Sequence, residues 1–306
     1  MQGDRFVDMN IIIFGAGAIG SLFGGILAKN NNVYLIGRKK HVEQIRKKGL
    51  KIKGKTNLNV RVLAFEKVED VRISPDLIII SVKSYDTENA VNEIKKIIGK
   101  KTFIMSLQNG LDNIEKIEKI VDNKKLFACV TTHGSIFYKP GVIIHSGIGK
   151  TKIGSLDKNF PFENKFVDLF NKAGIKSNVS SNIIHDIWAK GIVNSSINPL
   201  TCIFKCKNGY ILKNPILEKL MKKICYESVS VANAYGFNLL YNNVLDLTKE
   251  VICDTKENFS SMLQSLQNNE KTEIDSINGY IVKAGKLNAK AITLNEIIVY
   301  IVSNLC

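Results

Sequence analysis

The run Ile11-Ile12-Ile13-Phe14-Gly15-Ala16-Gly17-Ala18-Ile19-Gly20 constrains the fold more than any other stretch of this 306-residue chain. Its apolar residues predict a short buried strand, its glycines a tight turn, and the residues from Ile19 onward a helix. A dinucleotide pyrophosphate needs that order. Gly15 permits the turn, Gly17 has no side chain to block the phosphates, and Gly20 lets the helix pack closely on the strand. The backbone N–H groups at the helix start, around Ala18 and Ile19, then face the anion. Glycine-rich turns also serve plain strand–helix packing, so the flanking strand and helix carry much of the argument.

About twenty residues later, Val33-Tyr34-Leu35-Ile36-Gly37-Arg38-Lys39-Lys40 reads as a second strand ending in a basic cluster. A site for NAD places Asp or Glu there, on the ribose 2′-hydroxyl. This strand end has no acid, and the guanidinium of Arg38 can fork onto a phosphate. The expected cofactor is therefore NADPH, with NADH as the alternative. Lys39 and Lys40 read equally well as solvated residues of a helix start.

The first half alternates apolar runs with helical patterns. Strands are predicted at Ile11–Phe14, Val33–Ile36, Leu50–Lys53, Leu77–Ser81, Thr102–Met105 and Phe127–Val130. Helices are predicted at Ile19–Lys29, His41–Lys48, Thr87–Ile98 and Leu111–Val121. This rhythm predicts an α/β fold, a Rossmann-type doubly wound parallel sheet. Val82-Lys83-Ser84 and Leu107-Gln108-Asn109-Gly110 follow the fourth and fifth strands, where such sheets bind ligands. The glycine-punctuated stretch 134–154 reads as a β-rich extension of the same sheet.

From about Ser180 helices dominate: Asn182–Asn198, Pro215–Tyr235, Asn243–Glu250, Asp254–Gln267, Glu270–Lys286 and Thr293–Ser303. Ser177–Ser180 reads as a small polar linker, dividing the chain into a dinucleotide-binding domain, 9–178, and an all-α substrate and catalytic domain, 179–306.

Composition narrows the class. The longest apolar stretch, Ile11 to Leu27, is broken by five glycines and fits a strand plus helix rather than a membrane span. Met1 to Asp8 lacks the apolar core of a targeting signal, so a cytoplasmic protein is expected; Met9, just before the first strand, is an alternative start. Cys129, Cys202, Cys206, Cys225, Cys253 and Cys306 are scattered, and His41, His133, His145 and His185 form no ligand spacing, so no metal is expected. The net charge of +15 is spread along helices and turns with little aromatic interleaving. That favours solvated faces and an anionic substrate and cofactor over nucleic acid.

Two segments of the second half have the chemistry of a site. Lys190, Asn194 and Asn198 recur at every fourth position of a predicted helix and so share one face. Buried, they need polar partners, which a bound ligand would supply; a solvent-facing stripe is the alternative. Glu273 sits at the edge of the packing stripe Ile274, Ile277 and Ile281. Partly buried there, its carboxyl would hold a proton for delivery; a surface glutamate at a helix start fits the pattern equally well.

Taken in order, these motifs resemble one family. Gly15 to Gly20, Ile36-Gly37-Arg38, Ser81-Val82-Lys83, Gln108-Asn109-Gly110, Trp188-x-Lys190 with Asn194 and Asn198, Ser260-Ser261-Met262-Leu263-Gln264, and Thr272-Glu273-Ile274-Asp275-x-Ile277-Asn278-Gly279 are similar to those of the ketopantoate reductases. The similarity runs from Met9 nearly to the C-terminus. It implies a Rossmann domain followed by an all-helical domain like the C-terminal one of 6-phosphogluconate dehydrogenase. It also implies NADPH-dependent reduction of 2-dehydropantoate to (R)-pantoate, on the way to pantothenate and coenzyme A. By resemblance, Lys190 binds the carbonyl oxygen and Glu273 is the general acid. Gly15, Gly17, Ala18, Ile19, Gly20, Arg38, Lys83 and Asn109 fall to the cofactor. Asn109, Lys190, Asn194, Asn198, Asn258 and Ser261 fall to the substrate, Ser261 near its carboxylate. The segment Ala291-Ile292-Thr293-Leu294-Asn295-Glu296 departs from the family by lacking both prolines of a Pro-Thr-Pro-like start to the last helix. A same-fold reductase of another small 2-oxo acid and a non-catalytic dinucleotide-binding regulator are the competing readings. No nucleic-acid or membrane partner is expected, and a homodimer is compatible with the exposed helical faces.

Overall fold

The computed structural model describes residues 8–157 and 162–305. Residues 1–7, which hold most of the opening segment, and Cys306 lie outside the described residues. The chain forms two compact units, Met1–Gln108 with Asn113–Ile183 and Asn109–Asp112 with Ile184–Cys306.

The first unit runs β1 (Asn10–Phe14), α1 (Ala18–Leu27), β2 (Asn32–Ile36), α2 (Lys39–Lys48), β3 (Leu50–Gly54), β4 (Leu58–Val60), β5 (Leu63–Phe65) and β6 (Leu77–Ile80). It continues through α3 (Thr87–Ile94), β7 (Phe103–Ser106), α4 (Asn113–Glu118), β8 (Leu126–Thr131), β9 (Gly134–Lys139), β10 (Val142–Gly147), β11 (Thr151–Ser155), α5 (Glu163–Ala173) and β12 (Ser177–Val179). The main sheet has eight strands in the order β12-β11-β8-β7-β6-β1-β2-β5. Strand β1 is central because both of its faces are covered: Ile11, Ile12 and Ile13 are fully buried. Each contributes about 1.5–3 kcal/mol by leaving water. The chain leaves β1 toward β2 and returns on its other side as β6, so a topological switch point lies beside β1.

The sheet is mixed rather than wholly parallel. β5, β2, β1, β6, β7 and β8 pair in parallel, but β11 lies antiparallel to β8. Three strand expectations are corrected. Leu50–Lys53 forms a strand, but outside the main sheet; Leu63–Phe65, which has only a weak apolar signal, takes the edge beside β2 instead. Strand β3 folds back onto β4 and pairs in parallel with β10, giving a second sheet in the order β4-β3-β10-β9. Of the stretch 134–154, only the end, in β11, extends the main sheet, while β9 and β10 belong to the second. Ser177–Val179 is not a linker but an edge strand parallel to β11.

The second sheet explains why α1 is apolar and glycine-rich along its whole length. A Cβ on Gly24 would press on Leu35 of the main sheet, and one on Gly25 on Ile52 of the second. Helix α1 is thus covered from two sides, and Gly20 through Leu27 are all buried.

The second unit is helical: α6 (Ile183–Ile203), α7 (Tyr210–Lys213), α8 (Pro215–Ala234), α9 (Tyr241–Asp254), α10 (Ser261–Gln267), α11 (Tyr280–Leu287) and α12 (Thr293–Ser303). Its core gathers Trp188, Ile192, Met221, Ile224, Ile277 and Ile281. Asn214 caps α8 by accepting from the N–H groups of Ile216 and Leu217, and Pro215 follows where a missing N–H costs nothing. The expected helix over 254–267 is broken. The carbonyls of Lys256 and Asn258 accept from Gly209 and Asn208, and Ser260 caps a new helix. The expected helix over 270–286 starts late, with a π-helical turn at Asp275–Gly279 that runs into α11. Its marker is the hydrogen bond from Gly279 N–H to the Ile274 carbonyl at 2.9 Å. Among the described residues no helix is long and apolar enough to cross a membrane.

Candidate active site

The turn after β1 is held from three sides. The N–H groups of Gly15 and Ala16 donate to the Ile36 carbonyl at 3.1 and 2.7 Å. Ser81, just beyond β6, donates its hydroxyl to the Gly15 carbonyl at 2.9 Å. Gly15 has φ +106°, a conformation that disfavours any side chain, and a Cβ there would lie 2.6 Å from Val82 N. A Cβ on Gly20 would lie 2.3 Å from the Gly15 carbonyl oxygen and 2.4 Å from Ser81 Oγ. A Cβ on Gly17 would meet nothing within 4 Å. The three glycines therefore do different jobs: Gly15 and Gly20 close the turn, whereas Gly17 keeps open space in front of it.

That space suits an anion. Helix α1 begins at Ala18 with no side-chain cap from Gly17 and no acid in its first turn. Its first N–H groups, at Ala18 and Ile19, have no helical acceptor, and the helix dipole adds partial positive charge. A pyrophosphate fits this cradle.

Neighbouring strands end in register, Phe14 opposite both Ile36 and Ile80, and Ile80 opposite Ser106. Their loops consequently emerge at one edge of the sheet. Arg38 is exposed there, at the N-cap of α2. Lys83 is half-buried, three residues past β6. Gln108 ties the edge together, donating from Nε2 to the Val82 carbonyl at 3.0 Å and to Thr87 Oγ1 at 2.8 Å.

In the second unit Lys190 and Asn194 are half-buried and Asn198 is only 6% exposed. The polar stripe of α6 is thus not a solvent-facing one. Trp188, two residues before Lys190, is buried against Tyr235, Phe237 and Tyr280, which anchors this end of the helix. Glu273 is also buried, 7% exposed, just ahead of the π-helical turn. A surface helix start is thereby excluded for it.

Asn109–Asp112 belongs to the same unit. Leu111 N–H donates to the Ser276 carbonyl at 2.8 Å, and Ser276 Oγ donates to Asp112 Oδ2 at 3.2 Å. Gly191, beside Lys190, leaves room for Leu111; a Cβ there would lie 2.5 Å from its Cδ2. So Asn109, Lys190 and Glu273 sit on three segments that touch one another. Asn258 is half-buried and Ser261 exposed. Their loop is fastened to α6 where Thr201 Oγ1 donates to Ser260 Oγ at 2.7 Å, three residues past Asn198. Ser260 itself serves as the N-cap of α10.

Several supporting residues had no role assigned from sequence. Ser81, Gln108 and Asp112 act through hydrogen bonds between distant segments, which no local pattern announces. Asn278 had a signal: Pro199 lies inside α6 and lacks an N–H, leaving the Ser195 carbonyl without its helical donor. The Asn278 amide fills that place, with Nδ2 3.1 Å from the Ser195 oxygen. The two missing prolines before α12 are offset from another helix. Glu227 of α8 accepts from the N–H groups of Leu294 and Asn295 at 3.0 and 3.1 Å and caps α12.

Comparison with known proteins decides the family. A family model described as Ketopantoate reductase PanE/ApbA matches residues 11–158, and its C-terminal counterpart matches residues 182–305. This chain belongs to the ketopantoate reductase family. The 2-dehydropantoate 2-reductases of Pyrococcus horikoshii and Pyrococcus abyssi are 41% and 43% identical to it, each over 91% of both chains. A ketopantoate reductase of this family from Ralstonia eutropha superimposes with a TM-score of 0.90 at 28% identity, covering 97% of this chain and 98% of that one. A D-mandelate dehydrogenase solved with NADH and anilino(oxo)acetate superimposes with a TM-score of 0.92, again at 28% identity and over 97% and 98% of the two chains. Family membership makes the chain an oxidoreductase, and the expected pairing of a Rossmann-like unit with a helical one is the family's architecture.

Proposed function

We propose that this protein reduces 2-dehydropantoate to (R)-pantoate with NADPH, a step toward pantothenate and coenzyme A. The observation that carries the reading is that, in a member of this family, Lys190 and Glu273 lie half-buried and buried in one unit of the fold. In this reading residues 9–178 bind the dinucleotide, and residues 179–306 bind the substrate and carry out the chemistry.

The backbone N–H groups of Ala18 and Ile19 and the space before Gly17 would hold the pyrophosphate. Arg38 would take the 2′-phosphate, and Lys83 and Asn109 the rest of the cofactor. When bound there, the cofactor would supply the hydride for the carbonyl carbon. Negative charge then builds on the carbonyl oxygen. The Lys190 ammonium stabilises it, and Glu273 delivers the proton that makes the hydroxyl. Asn194, Asn198, Asn258 and Ser261 orient the acid, with Ser261 near its carboxylate. The net charge of +15 favours approach of both anions. The reading places the enzyme in the cytoplasm, needs no metal, nucleic acid or membrane, and is compatible with a homodimer.

The test is loss of reduced-nicotinamide absorbance with 2-dehydropantoate, with NADH and 2-oxoisovalerate as parallel controls. Turnover that falls about 10²–10⁴-fold in Lys190→Ala and in Glu273→Ala supports both roles. Tight NADPH binding without turnover of 2-dehydropantoate would move the assignment to another 2-oxo acid.

A further inference from the structure

The two residues assigned to the chemistry sit on separate segments. Lys190 is on a long helix, while Glu273 precedes a π-helical turn. One buried side chain spans them. Asn278 is fully buried within the π turn, five residues past Glu273. Its Nδ2 donates to the Ser195 carbonyl oxygen at 3.1 Å and to Asn295 Oδ1 at 3.0 Å. Ser195 follows Asn194 directly on α6, and at 1.5 Å of rise per residue it lies about 7.5 Å along the helix from Lys190.

The acceptor on α6 is open only because Pro199 cannot donate to it. The far end of the link is also fixed. Asn295 donates from Nδ2 to Glu227 Oε2 at 2.9 Å, and the same carboxylate caps α12. The chain of contacts therefore runs from α8 through the start of α12 to the π turn and on to α6. Asn278 Oδ1 is buried with no hydrogen-bond partner among the described residues. A buried acceptor left so costs about 1–3 kcal/mol, so global stability alone is a poor reason for an asparagine here. π turns of this kind are frequent at functional sites.

We propose that Asn278 is a positioning residue: by holding the Ser195 carbonyl and the Asn295 amide oxygen at once, it fixes the Glu273 segment against the helix that carries Lys190 and Asn194. The inference rests on the roles given to Lys190 and Glu273 above. It assigns Asn278 no contact with substrate or cofactor.

Asn278→Ser shortens the side chain so that neither acceptor is reached. Asn278→Asp keeps the volume but sets a carboxylate against two acceptors. Ile224→Ala, a buried core truncation on α8 that removes none of the linkage's hydrogen-bonding groups, serves as a control at comparable loss of Tm. The expected result is a kcat at least tenfold lower in Asn278→Ser, with the KM of substrate and NADPH within about twofold. Ile224→Ala is expected to keep its kcat. Should Asn278→Asp fail to fold, Asn278→Ser decides alone. A kcat within about twofold of the parent, or an equal loss in Ile224→Ala, overturns the positioning role. Full turnover by Glu273→Ala, measured alongside, identifies instead a failure of the reading on which it rests.

Discussion

Ser81 donates its hydroxyl to the carbonyl oxygen of Gly15 at 2.9 Å, joining the end of one central strand to the turn that follows its neighbour. The same hydroxyl oxygen stands 2.4 Å from where a Cβ on Gly20 would be. Turn, first helix and second strand end are thereby packed as one piece, with open space only in front of Gly17.

This packing separates the glycines experimentally. Gly17→Ala is expected to fold with an unchanged Tm and to lose NADPH affinity, because its methyl meets no protein atom but enters the space proposed for phosphate. Gly20→Ala is expected to cost about 1–3 kcal/mol of stability, since the new methyl overlaps the Gly15 carbonyl and Ser81. Thermal unfolding beside a fluorescence titration of NADPH measures both; equal loss of Tm in the two variants would refute the division of roles.

Arg38 stands at the end of β2, where no acid is present. Arg38→Ala should weaken NADPH binding about ten- to a hundredfold, the value of a charge-assisted hydrogen bond of about 1.5–3 kcal/mol. NADH should bind about as before. Parallel weakening of both cofactors would remove Arg38 from the 2′-phosphate.

Acid should destabilise the first unit through His41. Its Nδ1 accepts from Gly141 N–H at 2.9 Å and its Nε2 lies 3.0 Å from Ser21 Oγ, so the folded ring is held neutral. Burial lowers its pKa from 6.5 to about 4. A lowered pKa means that the unfolded chain takes up the proton first. Stability is therefore full above about pH 6.5 and falls as the pH drops toward 4, by on the order of 3 kcal/mol from this residue. His133 is lowered to about 4 as well, by burial and by His145, and steepens the same limb. Tm measured across this range should fall less in His41→Gln than in the parent; superimposable slopes would contradict the assignment.

The thiols should react in order of access. Cys253 is exposed, whereas burial pushes Cys225 up to about 11 and leaves almost no thiolate near neutrality. An alkylating reagent followed by peptide mass mapping should label Cys253 in the native protein and Cys225 only after unfolding. Native labelling of Cys225 at a comparable rate would show that α8 opens readily.

The elements legible in the sequence were those whose cause is local. Ile11 to Gly20 combines an apolar run with glycines at fixed spacing, and each glycine has a steric reason within reach of the turn. The repeat of Lys190, Asn194 and Asn198 follows from helical periodicity alone. Leu50–Lys53 shows where local reading stops. Its strand character was plain, but its sheet was chosen by β10, some ninety residues on, whose register pairs Ile52 with Ile143. Leu63–Phe65 has little strand signal of its own and becomes one because β2 offers it a free edge.

The amino-acid sequence by itself determined a dinucleotide-type turn, the succession of a sheet-bearing half and a helical half, and which side chains share a helix face, because these follow from backbone sterics and periodicity over a few residues. Only the tertiary structure decided that Glu273 is buried, that the Lys190 stripe is half-buried or buried rather than solvent-facing, and that Asn278 supplies the donor Pro199 withholds from Ser195. Burial and long-range hydrogen bonds depend on which distant segments come to lie alongside, and no window of neighbouring residues contains that information.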